Sequence, residues 1–327
     1  MPILDKSQVG VMFRRENPPE ALPDYARKAE ALGIGELWVV EDCFFGSGIA
    51  SAAVALACTR TVPVGLGIMP AVARNAAFTA MEIATLARMY PGRFLPGLGH
   101  GVTDWMKQIG AFPKSQLAAL GETSTVVRRL LRGESVTFHG DHVHLDDVKL
   151  EFPPEQVPPV VLGVRGPKSL VVSGRTADGT ILAELSSPAY VRWAVEQIQQ
   201  GQAEAGIAGI AHRITLYMLC AVDDDAAASR MRVRPTVALW LSTVPVDYVR
   251  PLGMELALRA LVADGGSTRL EAEMPDEWID QMAIAGTPEM CARSIRRLLD
   301  AGADRVVLVP EDRSAAGLSA IERILNA

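Results

Sequence analysis

VPVGLGIMP, residues 62–70, reads as a buried strand whose carboxyl end carries glycines and a proline where packing would favour side chains. Short apolar runs that alternate with longer amphipathic ones indicate buried parallel strands covered by helices. The same alternation extends to both sides of this stretch and gives eight predicted strands: QVGVMF, ELWVVED, VPVGLGIM, FLPGLGHG, VPPVVLGV, GTILAE, RITLYMLCAV and RVVLVP. Eight such units in 327 residues favour an α/β fold of the (β/α)8 TIM-barrel type over an open doubly wound sheet.

Two insertions interrupt the predicted barrel, which we expect to be a single domain over residues 1–327. SVTFHGDHVHL predicts a β-hairpin at about residues 135–150, turning at Gly140 and Asp141. Residues from about 223 to 282 show only helical patterns broken by prolines, and we interpret them as a helical insertion. The helix that follows is predicted to begin at Thr287 as its cap, with Pro288 in its first position.

Composition bounds the function. Apolar residues make up 49% of the chain and charged residues 21%, which is typical of a globular protein with a large core. A net charge of −6 argues against nucleic-acid or anionic-membrane partners. No signal-peptide pattern opens the sequence, and no apolar run approaches the roughly 18 residues of a membrane helix. We therefore expect a cytoplasmic protein that acts on a small molecule.

Barrel enzymes build their sites at the carboxyl ends of the strands, so the residues there are the candidates. Predicted strand 2 ends in Glu41 and Asp42, and strand 4 ends in a glycine-rich stretch that holds His100. Glycines recur at these ends. They either let a flat ligand lie against the main chain or relieve crowding inside the barrel. After strand 5, main-chain amides, Arg165 and a helix start come together, which suits a phosphate, although a solvated surface charge explains Arg165 as well.

Longer stretches carry a family resemblance. LWVVED, TRTVPVGLGIMP, NAAFTAMEIATLARMYPGRFLPGLGHG and PPVVLGVRGPKSLVVSGRTADGTILAE resemble the bacterial luciferase-like superfamily, and within it the coenzyme F420-dependent branch that includes methylenetetrahydromethanopterin reductase. The resemblance implies a cleft at the strand ends that holds the ring of F420, or alternatively of FMN. It also implies a bulge on strand 3 with a cis peptide bond between Gly67 and Ile68. Main chain freed of side chains at Gly65 and Gly67 would then back the ring.

The resemblance assigns further residues. In many relatives strand 2 carries an Asp-His pair, where this chain has Glu41 and Asp42, so the easy proton exchange of histidine near neutral pH is missing. Glu41, Asp42 and His100 are the candidate catalytic residues, and a merely packed His100 is the alternative. The candidate cofactor-binding residues are Gly67, Ile68, Met69, Gly99, Gly163, Val164, Arg165, Gly166, Pro167 and Glu184.

The expected activity is hydride transfer between reduced F420 and a small, hydrophobic organic acceptor. Two alternatives stay open: an FMN-dependent monooxygenase that uses oxygen, and a flavin- or deazaflavin-binding protein without turnover. Relatives are commonly dimers, so a homodimer is expected. The hairpin histidines His139, His142 and His144 could suggest a metal, but a turn with polar edges explains them equally well, and we expect none.

Overall fold

Eight parallel strands close on themselves in the structure, a computed structural model that describes residues 4–244, 248–263 and 265–327. The strands of these residues are β1 Val9–Met12, β2 Glu36–Val39, β3 Val64–Pro70, β4 Phe94–Gly99, β5 Val136–His139, β6 His144–Val148, β7 Val161–Gly163, β8 Gly179–Leu182, β9 Arg213–Val222, β10 Ile284–Gly286 and β11 Arg305–Pro310. The sheet runs β1-β2-β3-β4-β7-β8-β9-β11, and β11 pairs with β1. The predicted (β/α)8 barrel is confirmed.

Helices cover the outside of the barrel. They are α1 Leu22–Ala31, α2 Gly48–Cys58, α3 Ala76–Met89, α4 Thr103–Gln108, α5 Gln116–Leu131, α6 Pro167–Thr176, α7 Pro188–Glu204, α8 Ala226–Leu241, α9 Glu255–Ala263, α10 Gly266–Glu273, α11 Asp276–Met282, α12 Pro288–Asp300 and α13 Ala315–Leu325. Thr287 caps α12, where its hydroxyl accepts from the Met290 amide at 3.4 Å, as predicted. Of the described helices, none is long and apolar enough to cross a bilayer.

Successive strand residues point to opposite sides of the barrel wall. Trp38, Ile181 and Tyr217 belong to an apolar cluster inside the barrel. A much larger buried cluster lies between the strands and the helices. The interior is therefore packed with side chains, which leaves the strand ends as the place for a cleft.

A bulge interrupts β3, as predicted. Leu66 pairs with Pro96 and Met69 pairs with Leu98, so β3 has one residue more than β4 over this interval. The Gly67-Ile68 peptide bond is cis, and a second non-proline cis bond joins Cys43 to Phe44. Leu66 is fully buried on the helix side, whereas Ile68 packs on the cluster inside the barrel.

A charge network closes the amino-terminal end of the barrel. Glu36 is 3% exposed and forms an ion pair with Arg213. Its carboxylate also lies 3.4 Å from Arg305 Nε and accepts from Trp38 Nε1 at 3.0 Å. These contacts tie β2 to β9 and β11 at this end.

Three elements were not predicted. The short strand β10 pairs with the carboxyl end of β9 beyond the barrel, α4 follows β4, and α13 ends the chain. The predicted hairpin is present as β5 and β6, and Gly140 donates to the Val143 carbonyl across its turn. Residues 223–282 carry no strand where they are described, in agreement with the sequence pattern.

Candidate active site

A cleft of about 740 Å³ opens at the carboxyl ends of the barrel strands. Residues on or directly after β1, β2, β3, β4, β7, β8, β9 and β11 line it, together with α4 and the end of α8. Most of the predicted site residues meet there: Glu41, Asp42, Gly67, Ile68, His100, Gly163, Val164, Arg165, Gly166 and Glu184. Five strands, β2, β3, β4, β7 and β8, thus bring the candidates into one place.

The glycines at the strand ends make room for protein side chains. A Cβ on Gly65 would lie 2.2 Å from the Trp38 indole, and one on Gly67 would lie 2.0 Å from the Tyr217 hydroxyl. Gly99 and Gly163 would likewise clash with Ile68, at 2.8 and 2.6 Å. The Trp38 indole thus fills the space beside Gly65, so Gly65 does not form the wall behind a ring. Gly67 accommodates the Tyr217 hydroxyl and also lines the cleft, and its place behind a ring stays a prediction.

Ile68 takes the place expected for bare backbone. The bulge turns its side chain inward, where it lies across Gly99 and Gly163 and still lines the cleft. The floor on this side therefore consists of one branched aliphatic side chain on a bulged strand. Such a floor is apolar and suits the face of a flat ring.

Asp42 is an acidic residue that lines the cleft. Its Oδ2 accepts from Arg15 Nη1 at 2.9 Å, and its side chain is 34% exposed. Burial raises the pKa of Asp42, while the Arg15 charge and hydrogen bond oppose that rise. A carboxyl group with a raised pKa beside a cleft is suited to proton exchange.

Glu41 is held differently. Its Oε1 accepts from Arg74 at 2.8 Å, and its Oε2 accepts from the Gly48 amide at 3.0 Å, at the first residue of α2. One carboxylate oxygen is thus engaged by Arg74, in the loop between β3 and α3, and the other by the start of α2. This geometry is that of an anchor for the loop, and the catalytic role of Glu41 stays a prediction.

Buried polar atoms at the cleft differ in how well their hydrogen-bonding capacity is satisfied. Of the described residues, four have a buried side-chain nitrogen or oxygen without a hydrogen bond: Glu82, His100, Tyr217 and Arg305. Glu82 Oε2 lies 3.5 Å from Arg74, and Arg305 Nε lies 3.4 Å from Glu36, so both atoms have charged partners. The other two, His100 Nδ1 and the Tyr217 hydroxyl, belong to residues that line the cleft.

His100 is oriented by a neighbour on α6. Its Nε2 lies 3.0 Å from the Ser169 hydroxyl, and a backbone hydrogen bond at Gln116 also acts on the ring. Burial lowers the pKa of His100, so its neutral form is favoured near neutral pH. Burial also raises the pKa of Tyr217 well above its ordinary value, which keeps its hydroxyl a hydrogen-bond donor.

A cationic corner lies at the start of α6. Arg165 is held by Glu184 at 3.8 Å and lies over the Tyr248 ring, 5.6 Å from its centroid. Tyr190 donates to the Arg165 carbonyl at 2.6 Å and fixes the loop. Gly166 precedes the helix, so the first amides of α6 are available beside the Arg165 charge, an arrangement that binds anions.

The luciferase-like monooxygenase family matches residues 2–305 of the chain. The chain belongs to this family. A 5,10-methylenetetrahydromethanopterin reductase of Methanolobus tindarius is 30% identical to this luciferase-like chain over 304 residues, 91% of this chain and 92% of that protein. An F420-dependent glucose-6-phosphate dehydrogenase of Nakamurella multipartita is 28% identical over 231 residues, 68% of each.

A solved structure has the same fold. The coenzyme F420-dependent tetrahydromethanopterin reductase of Methanopyrus kandleri superposes with a TM-score of 0.82, at 22% identity over 98% of the luciferase-like chain and 97% of that structure. The resemblance inferred from the sequence motifs is therefore confirmed at the level of family and fold.

Three predicted cofactor contacts lie elsewhere in this luciferase-like barrel. Of the described residues that line the cleft, none is Met69, Gly99 or Pro167. Met69 is fully buried in the cluster under the helices because the bulge reverses its side relative to Ile68. Gly99 is covered by Ile68, and Pro167 begins α6 on the outer side.

Sequence reasoning also missed residues of the cleft. Arg15, Tyr217 and Trp240 line it, as do Thr243 and Val244 after α8. Arg15 stands at a strand end, so its position was the available signal. Trp240 comes from the helical insertion, where no local pattern shows which turn of the helix reaches the barrel.

Proposed function

We propose that this luciferase-like protein is a coenzyme F420-dependent oxidoreductase that moves a hydride between reduced F420 and a small organic acceptor. The observation that carries the proposal is that the cleft over the β3 bulge combines the apolar Ile68 side chain with the buried Tyr217 hydroxyl, which has no hydrogen-bond partner among the described residues. Relatives named for F420 among proteins of the same family and fold support the choice of cofactor.

The cleft fits such a cofactor in three respects. Ile68 provides an apolar floor for a flat ring, and Tyr217 offers a hydroxyl without a hydrogen-bond partner among the described residues. Arg165 and the start of α6 offer a site for a phosphate. Buried polar groups normally have partners, so open ones at a cleft indicate a ligand that completes them.

The chain's residues would bind, orient and exchange a proton. Bound F420 supplies the hydride chemistry on its ring. An acceptor that gains a hydride also gains a proton, and Asp42, whose pKa is raised by burial, lies in the cleft to provide it. His100 Nδ1 is the second candidate for this proton transfer. Glu41 keeps the loop that carries Asp42 in place through Arg74 and the Gly48 amide.

The acceptor is proposed to be hydrophobic. Trp105, Trp240 and Val244 line the cleft on the side of α4 and α8. Phe45 lies on the loop after β2, is 53% exposed and contacts Arg15. Aromatic and aliphatic walls with few polar groups bind apolar molecules.

Equilibrium titration with each cofactor tests the proposal. We expect F420 to bind with micromolar affinity and FMN to bind at least tenfold more weakly, measured by cofactor fluorescence and calorimetry. Micromolar binding of FMN without binding of F420 would instead support an FMN-dependent monooxygenase. Arg165→Gln should weaken F420 binding, and Arg175→Gln, on the far turn of α6, serves as the matched control.

Turnover distinguishes an enzyme from a binding protein. With reduced F420 and a quinone acceptor, Asp42→Ala should lower kcat by tenfold or more, because general acid catalysis contributes about 10²–10⁴-fold. An unchanged rate would mean that Asp42 does not donate the proton, and a wild type that binds F420 without turnover would mean that the cofactor is only carried. We also propose a homodimer, because the apolar side chains of Phe78, Met81 and Met89 on α3 are more than half exposed and such patches mark interaction sites. Light scattering measures the mass of the protein in solution.

A further inference from the structure

Arg15 joins three parts of the cleft that are distant in sequence. Its Nη1 donates to Asp42 Oδ2 at 2.9 Å, and its Nε donates to Glu16 at 3.1 Å. Its guanidinium carbon also lies over the Phe45 ring, 5.0 Å from the centroid, and over the Trp105 ring, 5.6 Å from the centroid. One side chain thus contacts the acid and both aromatic rings.

The two rings come from separate segments. Phe45 lies on the loop between β2 and α2, which includes the cis Cys43-Phe44 bond, and Trp105 lies on the short helix α4. Phe45 is 53% exposed, so packing on the core contributes little to its position. The guanidinium plane is a contact shared by both segments, and arginine stacks on aromatic faces in this way.

Asp42 has a defined electrostatic environment. The charged and titratable groups that influence it are Arg15 and Glu16 after β1, and its neighbour Cys43 and Tyr217 on β9 also feel its charge. Arg15 provides the cation of this group, and Glu16 opposes it. Removal of Arg15 would therefore leave Asp42 with a carboxylate neighbour and partial burial.

We propose that Arg15 is a positioning residue with two roles: it sets the orientation and charge of the Asp42 carboxylate, and it holds Phe45 and Trp105 together as the wall against which the acceptor binds. The kinetic consequences rest on the proposed function. The structural consequence, that Arg15 ties two loops to each other, does not.

Three substitutions separate these roles. Arg15→Gln removes the charge and the planar fork, and Arg15→Lys keeps a charge without the fork. Arg88→Lys is the matched control, because Arg88 lies over Phe152 at 5.7 Å on the outer surface. Asp42→Asn identifies the limb of the pH–rate profile that belongs to Asp42.

Kinetics with reduced F420 and menadione as acceptor give the first readout. In Arg15→Gln, the limb that Asp42→Asn abolishes should move up by about one pH unit, because an adjacent cation lowers a carboxyl pKa by 1–3 units. In Arg15→Lys the limb should stay near its wild-type position. Each aromatic ring that loses its contact with the guanidinium should raise the KM for menadione about two- to fivefold. The Kd of F420 should change less.

Hydrogen exchange of the protein without cofactor gives the second readout. Amides of residues 43–48 and 103–108 should exchange faster in Arg15→Gln and at the wild-type rate in Arg88→Lys. Faster exchange in one segment only, or in neither, would show that Arg15 does not hold Phe45 and Trp105 together. A pH–rate limb that stays at its wild-type position in Arg15→Gln would show that Arg15 does not set the charge of Asp42. If the wild type neither binds nor oxidises reduced F420, the proposed function fails, and the exchange result still decides the inference.

Discussion

Replacing Tyr217 by Phe should weaken cofactor binding without destabilising the protein, whereas the same change at Tyr25 should do the opposite. Both tyrosines are buried, at 5% and 8% exposure. The Tyr25 hydroxyl donates to the Met12 carbonyl at 3.0 Å, but the Tyr217 hydroxyl has no partner. The two substitutions delete the same atom, so their difference isolates the hydrogen bond.

The magnitudes follow from these contacts. An unmade buried hydrogen bond costs about 1–3 kcal/mol, so Tyr217→Phe should leave the free energy of unfolding unchanged or raise it by up to about that amount. Tyr25→Phe should lower it by about 1–2 kcal/mol, because it removes a bond and leaves the Met12 carbonyl without this donor. The two variants should thus differ by at least about 1 kcal/mol in the free energy of unfolding.

Binding should show the reverse order. Loss of a donor that a ligand satisfies costs about 0.5–1.5 kcal/mol, or roughly two- to tenfold in the Kd of F420. Urea denaturation followed by circular dichroism measures the stabilities, and F420 fluorescence measures the affinities. The reasoning is refuted if Tyr217→Phe is the less stable variant, or if it binds F420 as tightly as the wild type.

Two other predictions concern stability. Glu36→Ala should lower the free energy of unfolding, measured by urea denaturation, by about 3–5 kcal/mol, because it leaves Arg213 and Arg305 without their buried carboxylate. The control Glu134→Ala, which removes a surface pair with Arg129, should lower it by less than about 1 kcal/mol. Equal losses in the two variants would contradict this prediction. Burial raises the pKa of Glu30, but hydrogen bonds from the amides of residues 60–62 outweigh burial and lower that pKa from 4.5 to about 2. The contribution of Glu30 to the free energy of unfolding is therefore complete above pH 4.5 and is lost as the pH falls towards 2. Glu30→Gln should flatten the pH dependence of stability over that interval.

The barrel was predictable because its signal is local. Each strand buried on both faces reads as a short apolar run. The bulge of β3 was implied by the family resemblance and not by the apolar run itself. Caps such as Thr287 are also local, because the hydroxyl bonds an amide three residues on. The strand β10 has only three residues and begins directly after α11, so periodicity gives it no separate signal.

The reason for each glycine was not predictable, because it depends on a distant side chain. Gly67 is required by the Tyr217 hydroxyl, which reaches it from β9, and Gly65 by the Trp38 indole on β2. A sequence shows that a side chain is missing but not which atom occupies the space. The same limit applies to Arg15, whose partners Asp42 and Trp105 become neighbours only when the barrel closes.

The buried polar groups at the two ends of the barrel differ in their hydrogen-bond partners, and this difference indicates which end holds the functional site. At the amino-terminal end, Glu36 meets two guanidinium groups and an indole, so its charge is fully paired. At the carboxyl end, the buried Tyr217 hydroxyl has no hydrogen-bond partner among the described residues. Because an unpaired buried group lowers stability, its retention beside an open cleft indicates a ligand that completes it on binding.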